Sequence, residues 1–215
     1  MRSTGTLRLH TSAVRAADVI VALLPSVGGP GPLLLGIDGR SGTGKTTVAD
    51  TIRRVLTGER VSERCVHMDE LYAGWQGLAA ALPSVRRQVL EPLRSGTAAS
   101  YRRWDWARNA WEPEPATIGR HDVVVVEGVG AVHADPAAYD LTVWLSAPTP
   151  VRRRRALARD AEVFAPHWER WADQEDDLFG PGGDDPPPWP VDVHLRLVAD
   201  EQPDEQGQTQ TQGRP

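Results

Sequence analysis

Four residues carry the first chemical signal. Gly39, Gly44, Lys45 and Thr46 stand at the spacing G-x-x-x-x-G-K-[ST], that of a phosphate-binding loop. Glycines let backbone N–H groups converge on phosphate oxygens with no Cβ in the way. The candidate phosphate contacts are Gly39, Ser41, Gly42, Thr43, Gly44, Lys45, Thr46 and Thr47. A helix starting there points its positive end at the same anion. Lys45 can reach the β- and γ-phosphates, and the Thr46 hydroxyl can ligand Mg²⁺. Lys45 is the one lysine among 24 basic residues. A compact point charge kept for this position suggests chemistry rather than composition.

Two carboxylates follow at strand ends, Asp69 and Glu127. Phosphoryl transfer needs Mg²⁺ beside the phosphates and a carboxylate near the attacking hydroxyl. Glu127 is assigned to the metal together with Thr46. Asp69 is assigned to the acceptor hydroxyl, as positioner or general base. Arg152, Arg155 and Arg159 fall at i, i+3 and i+7 of one helix face. They read as a lid that neutralises the transferring phosphoryl group, with Arg155 and Arg159 catalytic and Arg152 on the acceptor side. Trp104, Asp105, Trp106, Asn109 and Trp111 could build an acceptor pocket, or could be a hairpin packing its rings on the core. Arg102 and Tyr72 join the acceptor candidates. Phe164, Trp168 and Trp171 read as core. The six histidines show no metal-ligand spacing.

The elements that must position these groups are legible as apolar runs. Leu33–Ile37 reads as a buried strand, followed by a helix to about Leu56. Val61–Met68, Asp122–Glu127, Leu141–Leu145 and Val191–Val198 read as further strands, the four valines before Glu127 being the clearest. Helices are expected at 11–24, 85–93, 150–160 and 164–178. Residues 73–82 look irregular, 98–112 could be a hairpin, and 180–190 is a breaker-rich loop. Strands alternating with helices imply an α/β fold, a three-layer arrangement with a parallel sheet between helices and a helical arginine-bearing lid. Ligands in such sheets sit at the carboxyl ends of strands, where Lys45, Asp69 and Glu127 fall. The expected division is a helix and linker at 1–32, a nucleotide-binding domain at 33–199 with its lid at about 150–180, and a disordered tail at 200–215.

Composition bounds the rest. The chain has 215 residues and a net charge of −5, so its whole surface is not a nucleic-acid footprint. One cysteine, Cys65, excludes an internal disulfide and suits a reducing compartment. No apolar run approaches the roughly 20 residues that span a bilayer. Residues 17–24 lack the flanks of a signal peptide, so the expected location is the cytoplasm. A guanine-reading Asn-Lys-x-Asp needs a second lysine, which disfavours a GTPase.

The chain resembles the uridine kinase and phosphoribulokinase branch of P-loop kinases over roughly residues 33–160. Gly36 to Thr47 is similar to that branch's phosphate loop. His67-Met68-Asp69-Glu70-Leu71-Tyr72 is similar to its aspartate–x–aromatic segment, which implies Asp69 as catalytic aspartate. Trp104-Asp105-Trp106 resembles its aromatic–Asp–aromatic acceptor segment. Val126 to Ala131 resembles its second acidic strand, which implies Glu127 near Mg²⁺. Arg152, Arg155, Arg159 and Asp160 resemble the entry to its lid. Departures follow: Ala161-Glu162-Val163-Phe164 stands where further basic lid residues are expected, and Asn109 replaces an expected pocket histidine. The resemblance implies ATP and Mg²⁺ and a small-molecule hydroxyl acceptor of nucleoside type, without nucleic acid or membrane as partner. It leaves a homo-oligomer open. The competing reading is a non-catalytic nucleotide-binding protein or accessory ATPase.

Overall fold

The computed structural model describes residues 5–25, 31–181 and 189–198, with side chains 159–162 left out. In chain order the elements begin with β1 (Leu7–Thr11), α1 (Ala13–Leu23), β2 (Leu33–Asp38), α2 (Lys45–Gly58) and β3 (Glu63–His67). Then come α3 (Leu78–Val85) and α4 (Glu91–Arg94), joined by a wide π turn at Arg86–Leu90. Four short strands follow: β4 (Ala99–Tyr101), β5 (Trp104–Asp105), β6 (Ala110–Trp111) and β7 (Ala116–Ile118). The chain continues with β8 (Val123–Glu127), β9 (Leu141–Leu145), α5 (Thr149–Phe164), α6 (Trp168–Phe179) and β10 (Val193–Leu197).

Six strands form one sheet in the order β1-β10-β9-β2-β8-β3, every pair parallel. Its strands alternate their side chains between two cores. Leu34, Val66, Val124 and Val126 face a cluster completed by α3, the π turn and Trp171. Leu35, Ile37, Val123, Val125 and Val143 face α1 and α2. Both faces are covered, which is why these strands read as continuous apolar runs. Helix α1 starts where the Ser12 hydroxyl accepts from the Arg15 N–H.

The sheet departs from the expectation at its edges. Leu7–Thr11 pairs along its whole length with β10, where the sequence showed no strand signal. Five residues beginning and ending partly exposed do not stand out from loop. Residues 78–85 are helical rather than irregular, because Leu78, Ala81 and Val85 bury one face. The tail at 200–215 and Pro186–Pro188 lie outside the described residues.

Candidate active site

The phosphate loop leaves β2 and enters α2 at the middle of the sheet. Gly44 caps α2 with φ of +100°, a conformation that favours glycine. Gly42 is equally constrained: a Cβ there would sit 2.2 Å from the Arg152 carbonyl oxygen. The loop closes on itself where Thr43 Oγ1 donates to the Arg40 carbonyl at 2.8 Å. Lys45 is buried, and its Nζ donates to the same carbonyl at 3.1 Å.

Beside the loop, two side chains meet at one carboxylate. Thr46 Oγ1 donates to Glu127 Oε1 at 3.1 Å, and His67 Nδ1 stands 2.6 Å from that oxygen. Register explains the meeting, since His67 of β3 pairs with Glu127 of β8. Burial works against the Glu127 charge, but the His67 hydrogen bond, Lys45 and the Thr46 hydroxyl hold its carboxyl below the usual range. Contacts with Cys65 and Glu127 push His67 up to about 11. A threonine hydroxyl and an ionised carboxylate are hard oxygen donors. Mg²⁺ asks for one or two such ligands and completes its shell with water and phosphate. Thr46 and Glu127 fit that demand. No group of three or more His, Cys, Asp or Glu side chains that could cage a metal occurs among the described residues.

Asp38 was not singled out in the sequence, yet it fixes the loop that follows Glu127. Its buried carboxylate accepts from the N–H groups of Gly39, Gly130, Val132 and His133 at 2.7 to 3.1 Å. Burial pushes its pKa up to about 6, against those hydrogen bonds and the Lys45 charge. The available signal was an acid inside an otherwise apolar strand, directly before the first loop glycine.

A cleft of about 520 Å³ opens over the loop. Ser41, Gly42, Gly44, Lys45, Thr46 and Thr47 line one part, with Glu127 and Arg155. Asp69 lies in the same cleft, exposed at the end of β3. Around it stand Tyr72, Trp75, Trp106, Phe164 and Trp171. Trp75 is their hub, 4.9 Å from Trp106, 5.3 Å from Phe164 and 6.1 Å from Trp171 between ring centroids. His167 stacks on its outer side at 4.5 Å.

The structure thus brings Lys45, Thr46, Glu127, Asp69, Tyr72 and Arg155 to one cleft and leaves other candidates outside it. Gly39 and Thr43 shape the loop from behind. Tyr72 is buried, its hydroxyl spent on the Val129 carbonyl at 2.8 Å. Trp104 packs edge-on against Trp111 in the β5–β6 hairpin. Asp105 caps that hairpin's turn, accepting from Ala107 and Arg108 N–H. Asn109 sits in the turn at φ of +51°. Arg102 covers the Trp111 ring at 5.3 Å. None of these four lines the cleft. Arg152 does not either: only 3 % exposed, it donates to the Ser41 carbonyl and pairs with Glu175. The side chain of Arg159 lies outside the described residues. Sequence reasoning missed Trp75; Phe164 and Trp171 belong to the core as expected, and both also reach the cleft.

Comparison with known proteins points to the same fold. A family model described as an AAA domain matches residues 35–164. A uridine kinase from Brevibacillus brevis is 26% identical over 146 residues, covering 61% of this chain and 67% of its own. Among solved structures, one described as a possible uridine kinase from Bacillus stearothermophilus aligns with TM-score 0.55 at 20% identity. It covers 77% of this chain and 90% of its own. D-glycerate 3-kinase from Cryptococcus neoformans var. grubii aligns with TM-score 0.58 at 13% identity, covering 86% and 94%. At these identities the structural likenesses show the fold.

Proposed function

Because the chain belongs to the AAA domain family and is similar to a uridine kinase over 146 residues, we propose that it is an ATP-dependent small-molecule kinase. The observation that carries this reading is the shared cleft. Phosphate loop, metal-type oxygens, a strand-end carboxylate and an aromatic wall all open on it. In this reading Lys45 and the loop N–H groups hold the phosphates, and Thr46 and Glu127 hold Mg²⁺, which supplies charge neutralisation at the transferring group. Asp69 orients the acceptor hydroxyl for in-line attack. Arg155 neutralises charge from the lid side. The rings around Trp75 take a flat, nucleoside-like acceptor by stacking.

What favours the kinase over a silent binder is Asp69, a carboxylate exposed in the cleft beside an aromatic wall, where an acceptor hydroxyl rather than a phosphate would meet it. The deciding experiment incubates the protein with MgATP and a panel of nucleosides, sugars and hydroxy acids, and reads a phosphoryl mass shift. The expected result is one ring-bearing acceptor phosphorylated, with stoichiometric ADP. ATP binding without any phosphorylated acceptor would transfer the case to the non-catalytic reading.

A further inference from the structure

The lid helices are tied to the phosphate loop by a buried charge cluster that the reaction does not itself require. Glu175 of α6 is 1 % exposed. Its Oε1 accepts from the Ser41 backbone N–H at 2.6 Å and from Trp171 Nε1 at 3.1 Å. Its Oε2 faces Arg152 Nη1 of α5 at 3.4 Å and Arg40 Nη1 at 3.9 Å. Arg40 also donates to Asp176 Oδ1 at 2.6 Å and to the Gly180 carbonyl. Arg152 closes the circle by donating to the Ser41 carbonyl at 3.2 Å. Both backbone polar groups of Ser41 are therefore held from outside the loop.

We propose that Glu175 is a positioning residue that presets the Arg40–Gly42 tip of the phosphate loop for the terminal phosphate of ATP. The rest of the loop needs no such help: the N–H groups of Lys45 to Thr47 are fixed by α2 itself. The tip has no helix to hold it. It also lies at the terminal-phosphate end, since Lys45, whose amine serves the β- and γ-phosphates, rests that amine on the Arg40 carbonyl. Glu175 does not line the cleft, so it acts through Ser41 rather than on the nucleotide. Trp171 both walls the cleft and donates to Glu175, which links acceptor wall and loop tip. The buried part of the cluster sets Arg40 and Arg152 against Glu175, and the half-exposed Asp176 supplies the second negative charge from the rim.

The proposal rests on the reading of this loop as an ATP site. Its test compares calorimetric binding of Mg²⁺ with the β,γ-imido analogue of ATP and of MgADP, in wild type and in Glu175→Gln. The amide keeps one acceptor for Ser41 and Trp171 but turns a neutral N–H₂ toward two guanidinium groups. The expected result is about a tenfold loss of affinity for the ATP analogue with MgADP held within about threefold. The double variant Arg152→Gln/Glu175→Gln also removes one of the two guanidinium charges that faced Glu175 and guards against simple misfolding. It should melt closer to wild type than the single variant while still lacking the preference for the ATP analogue. Equal losses for both nucleotides, no loss at all, or restored preference in the double variant would each overturn the proposal. A wild type that binds neither nucleotide would instead remove the ATP-site reading beneath it.

Discussion

The indole of Trp106 donates its N–H to the backbone carbonyl of Asp69 at 2.9 Å. That bond ties the β5–β6 hairpin to the end of β3 and holds the acceptor wall beside the candidate catalytic carboxylate. Asp69→Asn keeps shape and one acceptor but loses the charge. ATP affinity should stay within about threefold, while acceptor phosphorylation should fall by roughly 10²-fold or more. Paired calorimetry and product assay check it, and an unchanged product rate would return Asp69 to the surface.

Lys45→Ala should abolish transfer with the fold intact. The amine carries the cleft's deepest positive charge, and its loss removes preorganised stabilisation where charge develops. Turnover should drop by about 10²-fold or more, with an unchanged circular dichroism spectrum. Near-normal turnover would contradict the assignment.

For Glu127→Gln the readout is the Mg²⁺ titration. A neutral amide is a weaker ligand for a hard cation, so the half-saturating Mg²⁺ concentration should rise by about tenfold. The amide also takes the negative charge away from His67, 2.6 Å from the Glu127 oxygen, so melting temperature should fall too, and the titration is read where the variant is still folded. An unmoved titration would leave Glu127 as a structural carboxylate.

A pH dependence of stability attaches to His194. Burial, with Arg8 and Arg196 nearby, holds its pKa below the usual value, and its Nε2 stands 2.8 Å from Ser146 Oγ. The folded state thus resists a proton that the unfolded chain accepts. This contribution is complete above the unfolded value of about 6.5 and is lost as pH falls from there through the lowered folded value. Relative to His194→Gln, wild type should lose melting temperature between pH 7.5 and 5.5. A constant difference between the two proteins would show that His194 titrates normally.

What could be read beforehand divides along a physical line. Lys45 and Thr46 sit in a motif of fixed spacing, and Asp69 and Glu127 close strongly apolar runs, so local sequence pointed to the cleft in which all four lie. Asp38 and Glu175 owe their roles to partners far along the chain: Glu175 meets Ser41 across 134 positions, and Asp38 meets Gly130 across 92. No local pattern announces such a partner. Trp104 and Trp106 show the opposite failure. They are two positions apart, and in a strand or hairpin such neighbours should share a face, yet Trp106 reaches the cleft and Trp104 packs on Trp111. The strand ends at Asp105 and the turn begins at Trp106 itself, so the alternation stops between the two rings.

The arginine-rich helix gives the last prediction, since one face of α5 has divided its work. Arg152 is buried against Glu175 and Ser41, whereas Arg155 lines the cleft and Arg154 is exposed. Arg155→Ala should therefore lower kcat more than it weakens ATP binding, because interactions formed mainly in the transition state appear in kcat. Arg154→Ala should be near neutral. Arg152→Ala should behave differently from both, leaving Glu175 buried beside a loop it can no longer balance. Breaking one partner of a buried pair costs about 3–5 kcal/mol, so a clear fall in melting temperature should precede any kinetic effect. Melting curves with kcat and KM for ATP on the three variants decide it. Three equal kinetic losses with equal melting temperatures would mean that the helix is a uniformly solvated basic face.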